Sequence, residues 1–137
     1  MDAMDEQILG LLKKDARESY VTIAKDLKTS EGTIRARVKK MVDQGAITGF
    51  TVRTKGKNVK ALISIKIDIN TDAAHIAEKI VKLDGVEYVH EISGESDLIV
   101  LVDVMSTEDL NSTIDHIRSF GIQATMTMLI LKEHYHE

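Results

Sequence analysis

The chain has 137 residues, 43% of them hydrophobic, and a formal net charge of −4. That length holds one domain of ordinary size or two small ones, and that apolar share excludes a wholly disordered chain. There is no cysteine, which excludes disulfide and thiolate chemistry, and no apolar run reaches the roughly 18 residues of a membrane span, so a soluble cytoplasmic protein without membrane contact is expected.

The charge is unevenly placed. Residues 1–60 carry 13 Lys/Arg against 8 Asp/Glu, a balance of +5, whereas residues 61–137 carry 5 against 14, a balance of −9. Such a split predicts a DNA-facing part joined to a part kept off DNA.

Taken in chain order, the first element is a helix over 4–15. Ile8, Leu11 and Leu12 form its apolar stripe, Asp5 and Glu6 lie in its first turn, and Lys13 and Lys14 lie near its end. Ser19 is placed to cap a second helix whose inner face is Ile23, Ala24 and Leu27. Ser30 is placed to cap a third, from about Glu31 to Gln44, with Ile34, Val38 and Met41 buried and Gly45 as its stop. A short helix, a tight turn and a basic helix over 20–44 read as a helix-turn-helix. The β-branched stretch Ala46–Arg53 reads as a strand, giving a winged order.

Residues 31–60 hold 8 Lys/Arg and 2 acids, more than a merely solvated helix face explains. The expected DNA-binding set is Ser30, Glu31, Thr33, Arg35, Arg37, Lys39, Lys40 and Arg53. Thr33 and Arg35 are the candidates for base edges, because the first turns of a recognition helix enter the groove deepest and arginine reads guanine through two hydrogen bonds. The lysines and remaining arginines supply phosphate contacts, with Arg53, Lys55 and Lys57 on the flanking backbone.

The polar stretch 54–60 reads as a linker between a domain at 1–53 and another at 61–137. Ala61–Ile69 then alternates with period two, a strand. Residues 72–83 read as a helix, Val86–Ser93 and Leu98–Met105 as strands joined by a tight turn, Thr107 onward as a helix ended by Gly121, and Ile122–Leu131 as a last strand. The order βαββαβ is ferredoxin-like, which makes the fold class α+β. Alternation places Ile122, Ala124, Met126, Met128 and Ile130 on one face of the last strand and Gln123, Thr125, Thr127, Leu129 and Leu131 on the other. A sheet with helices on one side only leaves its second apolar face to be covered, so sheet-to-sheet dimerisation is expected.

Nothing marks an enzyme. No phosphate-binding glycine loop occurs, and Ser93, Ser96 and His90 form no recognisable triad. His134 and His136 fall short of the three or four ligands of a stable metal site, so neither metal nor cofactor is expected.

With both halves in place, the chain resembles the leucine-responsive/asparagine-regulator (Lrp/AsnC, feast/famine) family of transcription regulators. The resemblance rests on Asp5, Ile8-Leu9, Ile23-Ala24, Thr33-Ile34, Arg37-Val38 and Gly45-Ala46-Ile47, then on Gly94-Glu95-Ser96-Asp97 and Thr125-Met126-Thr127. It implies a winged helix-turn-helix, a β linker and a ferredoxin-like effector domain. It also implies homodimers that assemble further, often to octamers, and a small effector, commonly an amino acid, bound between dimers beside the turn joining the second and third effector-domain strands.

Carried over by motif, the effector-binding residues are Gly94, Glu95, Ser96 and Asp97 of that turn, with Thr125 and Thr127 of the last strand. Asp97 suits an α-ammonium group, the turn amides and the two hydroxyls suit an α-carboxylate, and Glu91 and Glu95 suit an effector side chain. Two positions depart from the family pattern. Ser96 stands where an aromatic is frequent, and Lys28 stands where a glycine is common before the recognition helix.

Overall fold

The computed structural model describes residues 1–136. The described chain forms two compact units, Met1–Arg53 and Thr54–Tyr135.

The first unit is helical: α1 (Ala3–Lys14), α2 (Tyr20–Asp26) and α3 (Glu31–Asp43). Each helix begins on a side-chain oxygen that takes one of the orphan N–H groups of the first turn. Ser19 accepts the Thr22 N–H and Ser30 the Thr33 N–H, each at 3.1 Å. Asp2 and Asp5 form a reciprocal capping box at the start of α1, with both bonds at 3.0 Å. Ile8, Leu12, Ile23, Ala24, Ile34, Val38 and Met41 bury into one cluster. The turn between α2 and α3 passes through Lys28 at φ 55, the single non-glycine residue with positive φ among the described residues.

The expected wing is not built. Ala46–Arg53 carries no strand; the Ile47 N–H instead bonds the Met41 carbonyl at 3.1 Å and its side chain packs on the helical cluster. Phe50 is 57% and Val52 75% exposed. A β-prone segment becomes a strand only where a neighbour offers a ladder, and among the described residues this stretch pairs with no strand.

The second unit contains β1 (Val59–Ile67), α4 (Ala73–Ile80), β2 (Val86–Glu91), β3 (Leu98–Val104), α5 (Thr107–Arg118) and β4 (Ile122–Leu129). The sheet is antiparallel in the order β2-β3-β1-β4. Strand β1 starts two residues before the alternation that announces it, because Lys57 donates its N–H to the buried Asp103 carboxylate at 2.8 Å. Gly85, at φ +85, is required at the turn into β2: a Cβ there would lie 2.5 Å from Val104 Cγ1.

Register sorts the side chains. Ala61, Ile63 and Ile65 lie opposite Val102, Val100 and Leu98, and all six are buried with Ile76, Ile80, Leu110, Ile114 and Ile117 of the helices. The other face presents Leu62, Ile99, Leu101, Tyr88, Met126 and Met128, and Tyr88 stacks on His90 at 4.2 Å. A register shift at Lys66/Ile67 breaks the expected alternation of β4. Ile122 pairs with Ile67 and packs into the core, while Ala124, Met126 and Met128 follow Lys66, Ser64 and Leu62 on the open face. One extra residue in a strand exchanges the faces of everything beyond it.

Candidate DNA-binding and effector surfaces

Helix α3 carries most of the residues expected to meet DNA. Its cap is compact: Ser30 Oγ and Thr33 Oγ1 lie 2.8 Å apart in addition to the cap bond. Along the outer face, Glu31 pairs with Arg35 and Lys39 pairs with Asp43 at 2.7 Å, both one turn apart. The Arg35 guanidinium also lies 5.3 Å from the Tyr20 ring centroid. Arg35 and Lys39 remain 64% and 75% exposed, and solvent screening leaves exposed pairs of this kind weak. A phosphate can therefore displace either acid at small cost. The Asp43 carboxylate raises the Lys39 pKa above its ordinary value, so the ammonium is held charged.

Arg37 sits differently. Its Nη1 reaches both Asp2 oxygens, at 2.7 and 2.8 Å, and Asp5 Oδ1 at 3.0 Å. The guanidinium, followed by the Asp5 N–H, holds the Asp2 carboxyl down at about 2, and the hydrogen bonds Arg37 gives to the Asp2 and then the Asp5 carboxylate raise its own pKa. This residue ties α3 to the start of α1, and its charge is answered within the unit. Lys40 is exposed on α3, and Arg53 lies beyond the helices in the strandless segment. Asp2 and Tyr20, which hold two of the arginines, escaped the sequence reading, because contacts across helices leave no periodic signal.

In the second unit, the turn Gly94–Asp97 is fastened to β1. The Asp97 N–H donates to the Ile65 carbonyl at 2.8 Å, Asp97 Oδ2 accepts the Ile67 N–H at 2.9 Å, and the Asp97 carbonyl accepts the Ile92 N–H at 3.0 Å. Ser96 hydrogen-bonds the buried Ser64 hydroxyl. Gly94, at φ 127, and Glu95 are exposed. Ile65 is paired with Leu98 on one side and Thr125 on the other, and the Asp97 N–H bonds its carbonyl, so Asp97 and Thr125 lie on either side of β1, about two strand spacings or ~9–10 Å apart across the sheet. Thr125 Oγ1 accepts from Arg118 Nε at 3.2 Å and Nη2 at 3.1 Å. Thr127, next but one, is exposed.

The expected site residues thus gather at one end of the sheet. Two grooves lie elsewhere. One, of about 530 Å³, is walled by Lys82, Asp84, Asp109 and His116 among others, and one of about 390 Å³ by Lys55, Lys60, Lys132 and Tyr135 among others. Ser64 and Arg118 are the second unit's unanticipated partners. Arg118 had a signal available, as the only arginine after Arg53. Among the described residues no three His, Cys, Asp or Glu side chains gather as metal ligands, and no helix is long and apolar enough to cross a membrane.

Comparison with known proteins accounts for both units. Residues 1–42 match the model of the AsnC-type helix-turn-helix domain, and residues 60–137 match that of the Lrp/AsnC ligand binding domain. The chain is 39% identical, over 96% of its length and 94% of the relative's, to the HTH-type transcriptional regulator LysM of Saccharolobus solfataricus. It superposes on the structure of E. coli AsnC with a TM-score of 0.79 at 29% identity, covering 100% of this chain and 96% of that one. It shares its fold with a Neisseria meningitidis transcriptional regulator solved as an L-Met complex, with a TM-score of 0.83 at 22% identity over 99% and 93% of the two chains. A helix-turn-helix unit, a four-stranded ligand-binding unit and relatives matched almost end to end place this protein in the Lrp/AsnC family of DNA-binding transcription regulators.

Proposed function

We propose that this regulator binds an amino acid beside the Gly94–Asp97 turn and reads specific DNA sequences with α3, acting as dimers that assemble further in the cytoplasm. The observation that carries the effector reading is the placement of a carboxylate, a hydroxyl and a guanidinium around Ile65, through Asp97, Thr125 and Arg118. A zwitterion needs partners of both signs, and this end of the sheet supplies them. The L-Met complex of the Neisseria protein, which has the same fold, supports an amino acid as the ligand class.

On the DNA side, Thr33 and Arg35 contact base edges while Lys39, Lys40 and Arg53 contact phosphate; Ser30 and Glu31 set the start of the helix. The dimer forms through the open sheet face, where Met126 is 59% and Met128 40% exposed beside Leu62 and Leu101. The open outline of the effector region in one chain fits a site completed by a second dimer, with ligand binding shifting the assembly towards one geometry. The ligand must bind the two assemblies with different affinity for this to work.

The test is sedimentation of the full chain with and without each of the twenty amino acids, together with titration of an operator fragment. One or a few amino acids change both the sedimentation coefficient and the DNA affinity. Unchanged values at saturating concentrations of all twenty contradict the reading.

A further inference from the structure

Arg118 lies in the last turn of α5. Ser119 caps that helix and Gly121, at φ +80, reverses the chain, so β4 runs back past the helix end and brings Thr125 to the guanidinium seven residues on. Residues 61–137 carry 14 acids against 5 bases, yet among the described residues Arg118 forms no ion pair, unlike Arg35 and Arg37. Two of its five N–H donors are committed to one neutral hydroxyl. A guanidinium held in a fixed orientation by a neutral acceptor has its charge unanswered and its other edge ready for a planar anion.

We propose that Arg118 is the carboxylate-binding group of the effector site, with Thr125 as the residue that aims it. The assignment rests on the effector reading above and deepens it. It moves the α-carboxylate from the turn amides and threonine hydroxyls to the arginine, because a guanidinium with free N–H donors is a stronger partner for a carboxylate than a neutral hydroxyl with a single O–H. Asp97, on the far side of Ile65, is left for a cationic end of the ligand. The ligand class follows: the effector carries a free carboxylate, and neutralising it as an amide removes the main contact.

The experiment is calorimetric titration of full-length protein with the twenty amino acids, then of each binder's C-terminal carboxamide, for the wild type and for Arg118→Met and Arg118→Lys. The wild type binds at least one amino acid and binds its carboxamide at least about tenfold more weakly. Arg118→Met weakens the amino acid by a similar factor, about the loss expected for one charge-assisted hydrogen bond, and Arg118→Lys falls between. Circular dichroism of the three proteins without ligand checks that each folds, and the ratio of acid to carboxamide affinity, which a merely structural loss would leave at its wild-type value, collapses towards one in Arg118→Met. Equal binding of the amino acid by wild type and Arg118→Met, or equal binding of acid and carboxamide, overturns the proposal and leaves the effector reading standing. A wild type that binds none of the twenty overturns both.

Discussion

Two carboxylates show how a single residue can serve structure and chemistry at once. Asp2 caps α1 and pairs with Arg37, and its pKa falls to about 2. A depressed carboxylate contributes stability that is present above its ordinary value near 3.8 and is lost as pH falls through the folded value. Denaturant titrations of Asp2→Asn should therefore show lower stability than wild type at pH 6, with the gap closing between about pH 4 and pH 2. A constant gap across that range counts against the pairing. Asp97 accepts the Ile67 N–H with one carboxylate oxygen, so Asp97→Ala orphans that donor and should cost about 1–2 kcal/mol. Asp97→Asn retains an acceptor of the same shape. It should keep nearly all of the stability, measured by urea unfolding, while losing the effect of amino acid on DNA affinity; an Asn variant that still responds removes the charge of Asp97 from the site.

At the scale of elements, the sequence was most legible where one chain supplies everything an element needs. Ser19 and Ser30 mark helix starts because capping is local, and the βαββαβ order follows from alternating residues that find their ladders inside the unit. Ala46–Arg53 misled because strand propensity states a willingness to pair and says nothing of whether a partner is present. The faces of β4 were half legible: Met126 and Met128 share a face as alternation requires, but the register shift at Lys66/Ile67 sends Ile122 into the core, and no local pattern announces a bulge. The candidate site was legible as a turn and a Thr-x-Thr pair, whereas Arg118 and Ser64 reach it only through tertiary placement. The turn between α2 and α3 offers a direct check on element strain. Lys28 holds φ 55, where a Cβ costs roughly 1–2 kcal/mol, and glycine escapes that cost at some expense in unfolded-state entropy. Lys28→Gly should raise the stability of the helical unit by about 0.5–1 kcal/mol in chemical denaturation and leave DNA binding intact. Destabilisation would mean that the lysine side chain contributes more than its backbone strain costs.

For the whole molecule, the division of charge matches the division of labour. The basic half presents α3, and the acidic half presents an apolar sheet face and the Gly94–Asp97 turn. Burying a charge in the sheet face tests the assembly, read in the absence of any amino acid. Met126→Glu should reduce the particle mass measured by light scattering and weaken binding to a two-half-site operator, with the circular dichroism of the helices unchanged, because an unpaired carboxylate in an apolar interface costs several kcal/mol. Wild-type mass in that variant places the dimer contact elsewhere. The central claim is that the outer face of α3 holds DNA, and it is tested most directly by fluorescence anisotropy on an operator selected from random duplexes, across a range of salt, for wild type and the double variant Arg35→Ala/Lys39→Ala. The account predicts that the variant folds as wild type does, binds at least about tenfold more weakly, and loses about two from the slope of log affinity against log salt. A variant with wild-type affinity and wild-type salt slope would contradict it.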